Sequence, residues 1–224
     1  MRKWHFLILG APGSGKGTLS KRIARDFKLR HVSSGDLLRA QMKSSTPLAT
    51  KIKAHIANGE LVPDSLMIDL LKQELSPSDT YSGILLDGFP RSQAQAEALH
   101  ALKPVDCALN LKVDDEIIRK RLTGRWIHEP SGRVYNMEWN PPLRTGLDDA
   151  TSEPLVQRVD DTPDVVSRRL NQYKSIAEIL EPYYKEKDVL IDFSGNTSNS
   201  IWPTIYNKLA TYIEPSNPLA KNEN

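Results

Sequence analysis

The stretch Gly10-Ala11-Pro12-Gly13-Ser14-Gly15-Lys16-Gly17-Thr18 sets the reading of this 224-residue chain. It follows Phe6 to Leu9, an apolar run ended by glycine as a buried parallel strand would be, and it opens a helical stretch over Lys16 to Phe27. In that position glycines let the backbone curl until successive N–H groups point at phosphate oxygens, and the helix N-terminus adds the positive end of its dipole. Lys16 adds a mobile positive charge beside a phosphoryl group in transfer. An ordinary glycine-rich turn is the alternative; the strand and helix on either side weigh against it.

Outward from this loop the same alternation recurs. Gly83 to Leu86 precedes Ser92 to Leu102, Val105 to Val113 precedes Asp114 to Leu122, and Val189 to Phe193 precedes Ser198 to Tyr212. With a further strand near His31 to Ser33, the pattern predicts an α/β fold with a doubly wound, five-stranded parallel sheet and ligands at the carboxyl ends of its strands. Two segments interrupt it. Residues from Ser33 to Val62 read as helical, with Asp36 as helix cap and Asn58-Gly59 closing the second helix. From Arg125 to Asp161 turn-formers and short strand pieces dominate, and the polar tail after Pro215 reads as disordered.

Composition narrows the class. A net charge of +2 provides no broad basic surface, so no nucleic-acid partner is expected. No apolar run approaches the ~20 residues a membrane-spanning helix needs, so no membrane partner is expected either. The single cysteine, Cys107, excludes an internal disulfide and reads as an inert core thiol. The opening MRKWHFLILG lacks the long apolar region and small-residue cleavage site of a secretory signal, while an uncleaved organelle address stays open.

Several side chains suit phosphate chemistry. Where phosphate loops usually place a Ser or Thr that holds magnesium, this chain has Gly17, with Thr18 next. Asp87 ends an apolar strand, where a carboxylate can hold a magnesium-bound water beside the loop; a turn role is the plainer option. Arg39 and Arg91 offer planar forks matched to a monophosphate, although surface arginines usually have no such task. The Gln95 amide pairs a donor with an acceptor, matching the N6 amino group and a ring nitrogen of adenine; guanine reverses that pattern, which favours AMP over GMP.

The loop, followed in order by Ser33-Ser34-Gly35-Asp36-Leu37-Leu38-Arg39, Leu85-Leu86-Asp87-Gly88-Phe89-Pro90-Arg91 and Gln95, resembles the adenylate kinase family, and the likeness covers residues 4–213. It implies a P-loop nucleoside monophosphate kinase with a core of residues 1–32, 63–123 and 162–214, a helical AMP-binding insertion at 33–62, a long lid at 124–161 and a tail at 215–224. On this resemblance the donor nucleotide meets Gly13, Ser14, Gly15, Lys16, Gly17, Thr18, Arg121, Arg125, Val134, Tyr135 and Thr197. AMP meets Ser34, Arg39, Glu60, Leu61, Val62, Gly88, Phe89, Pro90, Arg91, Gln95, Arg158 and Arg169. Lys16, Arg91, Arg125, Arg158 and Arg169 carry catalysis, and Asp87 takes magnesium through water. Arginines brought by a closing lid would neutralise the migrating charge and keep water from the donor.

Some family members carry four zinc cysteines in the lid. Here the same spacing holds His128, Ser131, Asp148 and Thr151, and because neutral hydroxyls are poor zinc ligands a hydrogen-bonded cluster without zinc is expected. His5, His31, His55 and His100 receive no role. The pieces Val32-Ser33-Ser34-Gly35-Asp36, Gly124-Arg125-Trp126-Ile127-His128, Phe193-Ser194-Gly195 and Ile201-Trp202-Pro203 look most like the branch that uses GTP as donor in the mitochondrial matrix, as a monomer. ATP as donor and a cytoplasmic location are the runners-up. A nucleotide switch without catalysis and a kinase for another small phosphate acceptor are rival classes, each disfavoured by a second nucleotide site.

Overall fold

Five apolar runs form one parallel sheet because helices cover both of its faces. A computed structural model describes residues 2–57, 60–75, 81–158 and 161–216; the expected turn at Asn58-Gly59 and tail residues 217–224 lie outside them. In chain order the elements are β1 (Trp4–Gly10), α1 (Lys16–Asp26), β2 (Leu29–Ser33), α2 (Ser34–Met42), α3 (Pro47–Ala57), α4 (Asp64–Glu74), β3 (Gly83–Asp87) and α5 (Gln93–Leu102). They continue with β4 (Cys107–Lys112), α6 (Asp115–Thr123), β5 (Arg125–His128), β6 (Arg133–Asn136), α7 (Pro163–Glu186), β7 (Leu190–Ser194) and α8 (Ser198–Leu209). The sheet order is β2-β3-β1-β4-β7, so the strand that leads into the phosphate loop lies at the centre.

Side chains alternate across β1. Phe6 and Ile8 join Leu19, Ile23, Phe27, Leu109 and Trp202 on one face. Leu7 and Leu9 join Leu86, Leu99, Leu180 and Tyr184 on the other. With both faces covered, the run is continuously apolar rather than alternating, and that is why it reads as a strand buried on two sides. Cys107 belongs to the first cluster, and burial pushes its thiol up to about 11.

Strand β3 packs so closely on β1 that a Cβ at Gly83 would stand 2.1 Å from the Trp4 carbonyl oxygen. That contact fixes the register in which Trp4 faces Gly83 and Ile8 faces Asp87. The carboxylate thereby arrives level with the end of β1.

Two sequence expectations need correction. The cap of α2 is Ser33, not Asp36: Ser33 ends β2 in an extended conformation and its Oγ accepts from the Asp36 N–H at 3.3 Å. The helix already begins at Ser34, which places Asp36 inside the first turn, where its carboxylate meets Arg39 instead. The stretch 33–62 is also not helical throughout, since Glu60 to Val62 form a non-helical connection to α4. Strands β5 and β6 pair antiparallel as a separate hairpin, extended by bridges Ile127–Val156 and Leu147–Pro154. Among the described residues no helix is long and apolar enough to cross a membrane.

Candidate active site

The loop between β1 and α1 takes its shape from glycine. Gly15 has φ 95°, and a Cβ there would come within 2.5 Å of Ser198 Oγ, so a side chain is excluded by both conformation and space. Ser14 is buried, and among the described residues its Oγ has no hydrogen-bond partner. Lys16 folds back over the loop, with Nζ donating to the carbonyls of Gly10 at 2.6 Å and Ala11 at 2.8 Å. Gly13 lies at the turn, and Gly17 and Thr18 are exposed at the start of α1.

Burial lowers the Lys16 pKa to about 8; Asp87 opposes the shift, while Arg91, Arg169 and Arg125 add to it. Three arginines from three distant segments therefore act on one ammonium group. Arg91 also sits below the ordinary guanidinium value, through burial in the crevice and then through Arg169. Such crowding of like charge costs stability and is characteristic of sites built for an anion.

Asp87 lies beside the loop as the β1–β3 register requires. Its Oδ2 accepts from Ser20 Oγ at 3.3 Å and stands 3.5 Å from His31 Nε2, while among the described residues nothing donates to Oδ1. Burial alone would raise this carboxyl pKa, but His31, Lys16 and Ser20 hold it below the usual range. An anionic oxygen free to accept, beside the phosphate loop, fits the water shell of a hard divalent cation. His31, which the sequence left without a role, reaches Asp87 because it pairs with Leu85 and so shares a sheet face with the residue two positions on.

A second cluster surrounds the Gly88 carbonyl, which accepts from Ser34 Oγ and Arg91 Nε, both at 2.7 Å. Phe89 is buried, and Pro90 leads on to Arg91. The Gln95 amide is engaged at both ends: Oε1 accepts from the Arg91 N–H at 2.8 Å and Nε2 donates to Asp64 Oδ1 at 2.6 Å. Arg39 pairs with Asp36 at 2.5 Å, and Glu60 is tied to His55 at 3.1 Å just before Leu61 and the buried Val62.

Arg125 and Arg169 meet on Asp161. Arg125 donates through Nε at 2.7 Å and Nη2 at 2.5 Å, and Arg169 Nη1 lies 3.4 Å away. The carbonyl of Arg158 accepts from the Asp161 N–H, which places Arg158 at the same turn. Arg121 donates to the Gly13 carbonyl at 3.2 Å and to that of Asn196, so it joins the phosphate loop to Thr197, the capping-box residue of α8.

Around the hairpin, His128, Ser131, Asp148 and Thr151 do come together. His128 Nδ1 bonds Ser131 Oγ at 2.7 Å, and Thr151 Oγ1 donates to Asp148 Oδ2 at 2.9 Å. Arg133 adds a two-pronged contact to Asp148 at 2.7 and 2.6 Å, and Glu153 closes on His128. The bond from Arg133 holds the Asp148 carboxyl far below its ordinary value, helped by Tyr135. Val134 is exposed, whereas the Tyr135 hydroxyl donates to Asp148 at 2.9 Å, so that side chain faces the cluster.

Sequence reading missed Asp64, Asp161, Arg133 and Glu153. Only Asp161 had a local signal, an acid set between Arg158 and the proline that opens α7.

The family model described as adenylate kinase matches residues 8–189. The chain is 43% identical over 223 residues to a protein of Saccharomyces cerevisiae named "GTP:AMP phosphotransferase, mitochondrial", covering 94% of each. It is 43% identical over 197 residues to a protein of the same name from Drosophila melanogaster, covering 88% of this chain and 91% of the fly protein.

Proposed function

The chain belongs to the adenylate kinase family, and on that premise we propose that it transfers the terminal phosphoryl group of GTP to AMP, giving GDP and ADP. The observation that carries the reading is the convergence of Arg91, Arg125, Arg169 and Asp87 on Lys16 at the phosphate loop. The relatives' printed names support GTP as the donor and a mitochondrial location, within which we place the protein in the matrix.

In this reading an oxygen of the AMP phosphate attacks the terminal phosphorus in line, the bond to the bridging oxygen breaks, and GDP leaves. No covalent enzyme intermediate is needed. Loop N–H groups from Gly13 to Thr18 hold the donor phosphates, and Lys16 exchanges its loop carbonyls for phosphate oxygens. Arg39 and Arg91 orient the acceptor phosphate, and Gln95 meets its adenine. Arg125, Arg158 and Arg169 neutralise charge spread over the migrating group. Magnesium carried in with the nucleotide supplies charge neutralisation, with Asp87 Oδ1 and Thr18 as the groups that would hold its water. Residues 33–62 form the AMP-binding insertion and 124–161 the lid, pinned by its hydrogen-bonded cluster without zinc, on the core of 1–32, 63–123 and 162–214. The protein works as a monomer, without nucleic-acid or membrane partners.

Initial rates with AMP and either GTP or ATP test this. GTP should be consumed faster; an equal or faster rate with ATP would refute the donor assignment. Absence of AMP-dependent consumption of either would replace catalysis with the switch reading.

A further inference from the structure

We propose that Asp64 sets the choice of acceptor base by fixing which way round the Gln95 amide lies. This rests on the reading above, in which Gln95 meets the base of the acceptor.

A glutamine amide is nearly symmetric in shape. Turning it about its last bond exchanges oxygen and nitrogen at little steric cost, so the preference for adenine expected from the residue type does not follow from the amide alone: unrestrained, it pairs as well with guanine. Adenine brings a donor at N6 and an acceptor at N1, and guanine brings the reverse. Selectivity therefore comes from whatever stops the amide turning.

Gln95 is 2% exposed and restrained at both ends. The Arg91 N–H can only donate, and it meets Oε1 at 2.8 Å. The Asp64 carboxylate can only accept, and it meets Nε2 at 2.6 Å. A turned amide would set a carbonyl oxygen against the carboxylate and an amino group against the N–H. Asp64 is itself held, because its Oδ2 accepts from Ser92 Oγ at 2.6 Å, and Ser92 caps α5 by accepting from the Gln95 N–H at 3.2 Å. The carboxylate in the first turn of α4 is thus tied to the start of the helix that carries the glutamine. Each end of the amide keeps one further bonding site, a lone pair on Oε1 and a hydrogen on Nε2. A base in that seat must set a donor against Oε1 and an acceptor against Nε2; adenine does so with N6–H and N1, whereas guanine in the same seat sets O6 against Oε1 and N1–H against Nε2.

The test is kcat/KM for AMP and for GMP, with saturating GTP, in the wild-type chain, Asp64→Asn and Asp64→Glu. Asparagine can present oxygen or nitrogen to Gln95, which replaces the charge-assisted bond with a neutral one and gives a turned amide a partner. The AMP:GMP ratio should fall about tenfold in Asp64→Asn, the difference expected between a charged and a neutral hydrogen bond. Asp64→Glu, which keeps an acceptor-only group, should hold the ratio within about threefold of wild type. Because each ratio is taken on one sample, loss of folded protein cancels. An unchanged ratio in Asp64→Asn would overturn the proposal and reduce Asp64 to packing, as would a wild-type chain that uses GMP as well as AMP. Failure of the functional reading is distinct: the wild-type chain would then show no AMP-dependent turnover at all, and the proposal would fall with it.

Discussion

Replacing Lys16 with methionine should abolish phosphoryl transfer and also make the ligand-free protein more stable. A lysine whose pKa falls from 10.5 to about 8 is disfavoured in its charged form on folding by about 3 kcal/mol near pH 7. Lys16 keeps part of its surface exposed, and the bonds to Gly10 and Ala11 are lost with the ammonium, so the net gain should be about 1–2 kcal/mol. For a chain of this size that raises the melting midpoint by roughly 4 °C. The pH dependence has a definite sign. Between the folded value of about 8 and the unfolded value of 10.5 the unfolded chain binds more protons, so the wild-type protein gains stability as pH rises through that window. Methionine does not titrate, and its advantage should shrink from near pH 7 to near pH 10. Thermal and urea unfolding of both proteins at several pH values measure this. A variant less stable than wild type near neutrality, or a difference that does not change with pH, would refute the account of Lys16 as a charge held in an anion site.

Two further outcomes follow from the same geometry. Asp161→Asn leaves Arg125 and Arg169 without their shared carboxylate; stability should fall by about 2 kcal/mol and kcat by at least about tenfold, with a smaller change in KM for AMP, as read by denaturant unfolding and initial rates. An unaltered kcat would remove Asp161 from any positioning role. Purified protein should contain no stoichiometric zinc, because the oxygens of Asp148 are already taken by Arg133, Tyr135 and Thr151; one zinc per chain by elemental analysis would overturn this.

The strands and the phosphate loop were legible because their signals are local. Phe6 to Leu9 announces a strand buried on both faces, and the glycines after it announce a loop that only glycine can form. The groups that hold the site were not legible, since Asp64 meets Gln95 across 31 positions and Arg125 meets Asp161 across 36. No spacing rule links such pairs; only the packing of helix on sheet does. Register hides others. His31 meets Asp87 only because β2 lies beside β3, and Ser33 displaced Asp36 as a cap because the helix starts directly at the end of the strand. The bond from the Tyr135 hydroxyl to Asp148 spans 13 positions and was likewise hidden from a reading along the chain.

Gly83 lies at the opposite end of β3 from the chemistry, yet any larger residue there would collide with the backbone of Trp4. Strands are stiff along their length, so the collision would be relieved by shearing β3 against β1, and Asp87 would slide away from the loop by the same amount. Tolerance to mutation in this protein is therefore not a matter of distance from the substrate. A position with no functional group of its own can be as intolerant of variation as the lysine, because it sets the scale on which the candidate catalytic groups are spaced.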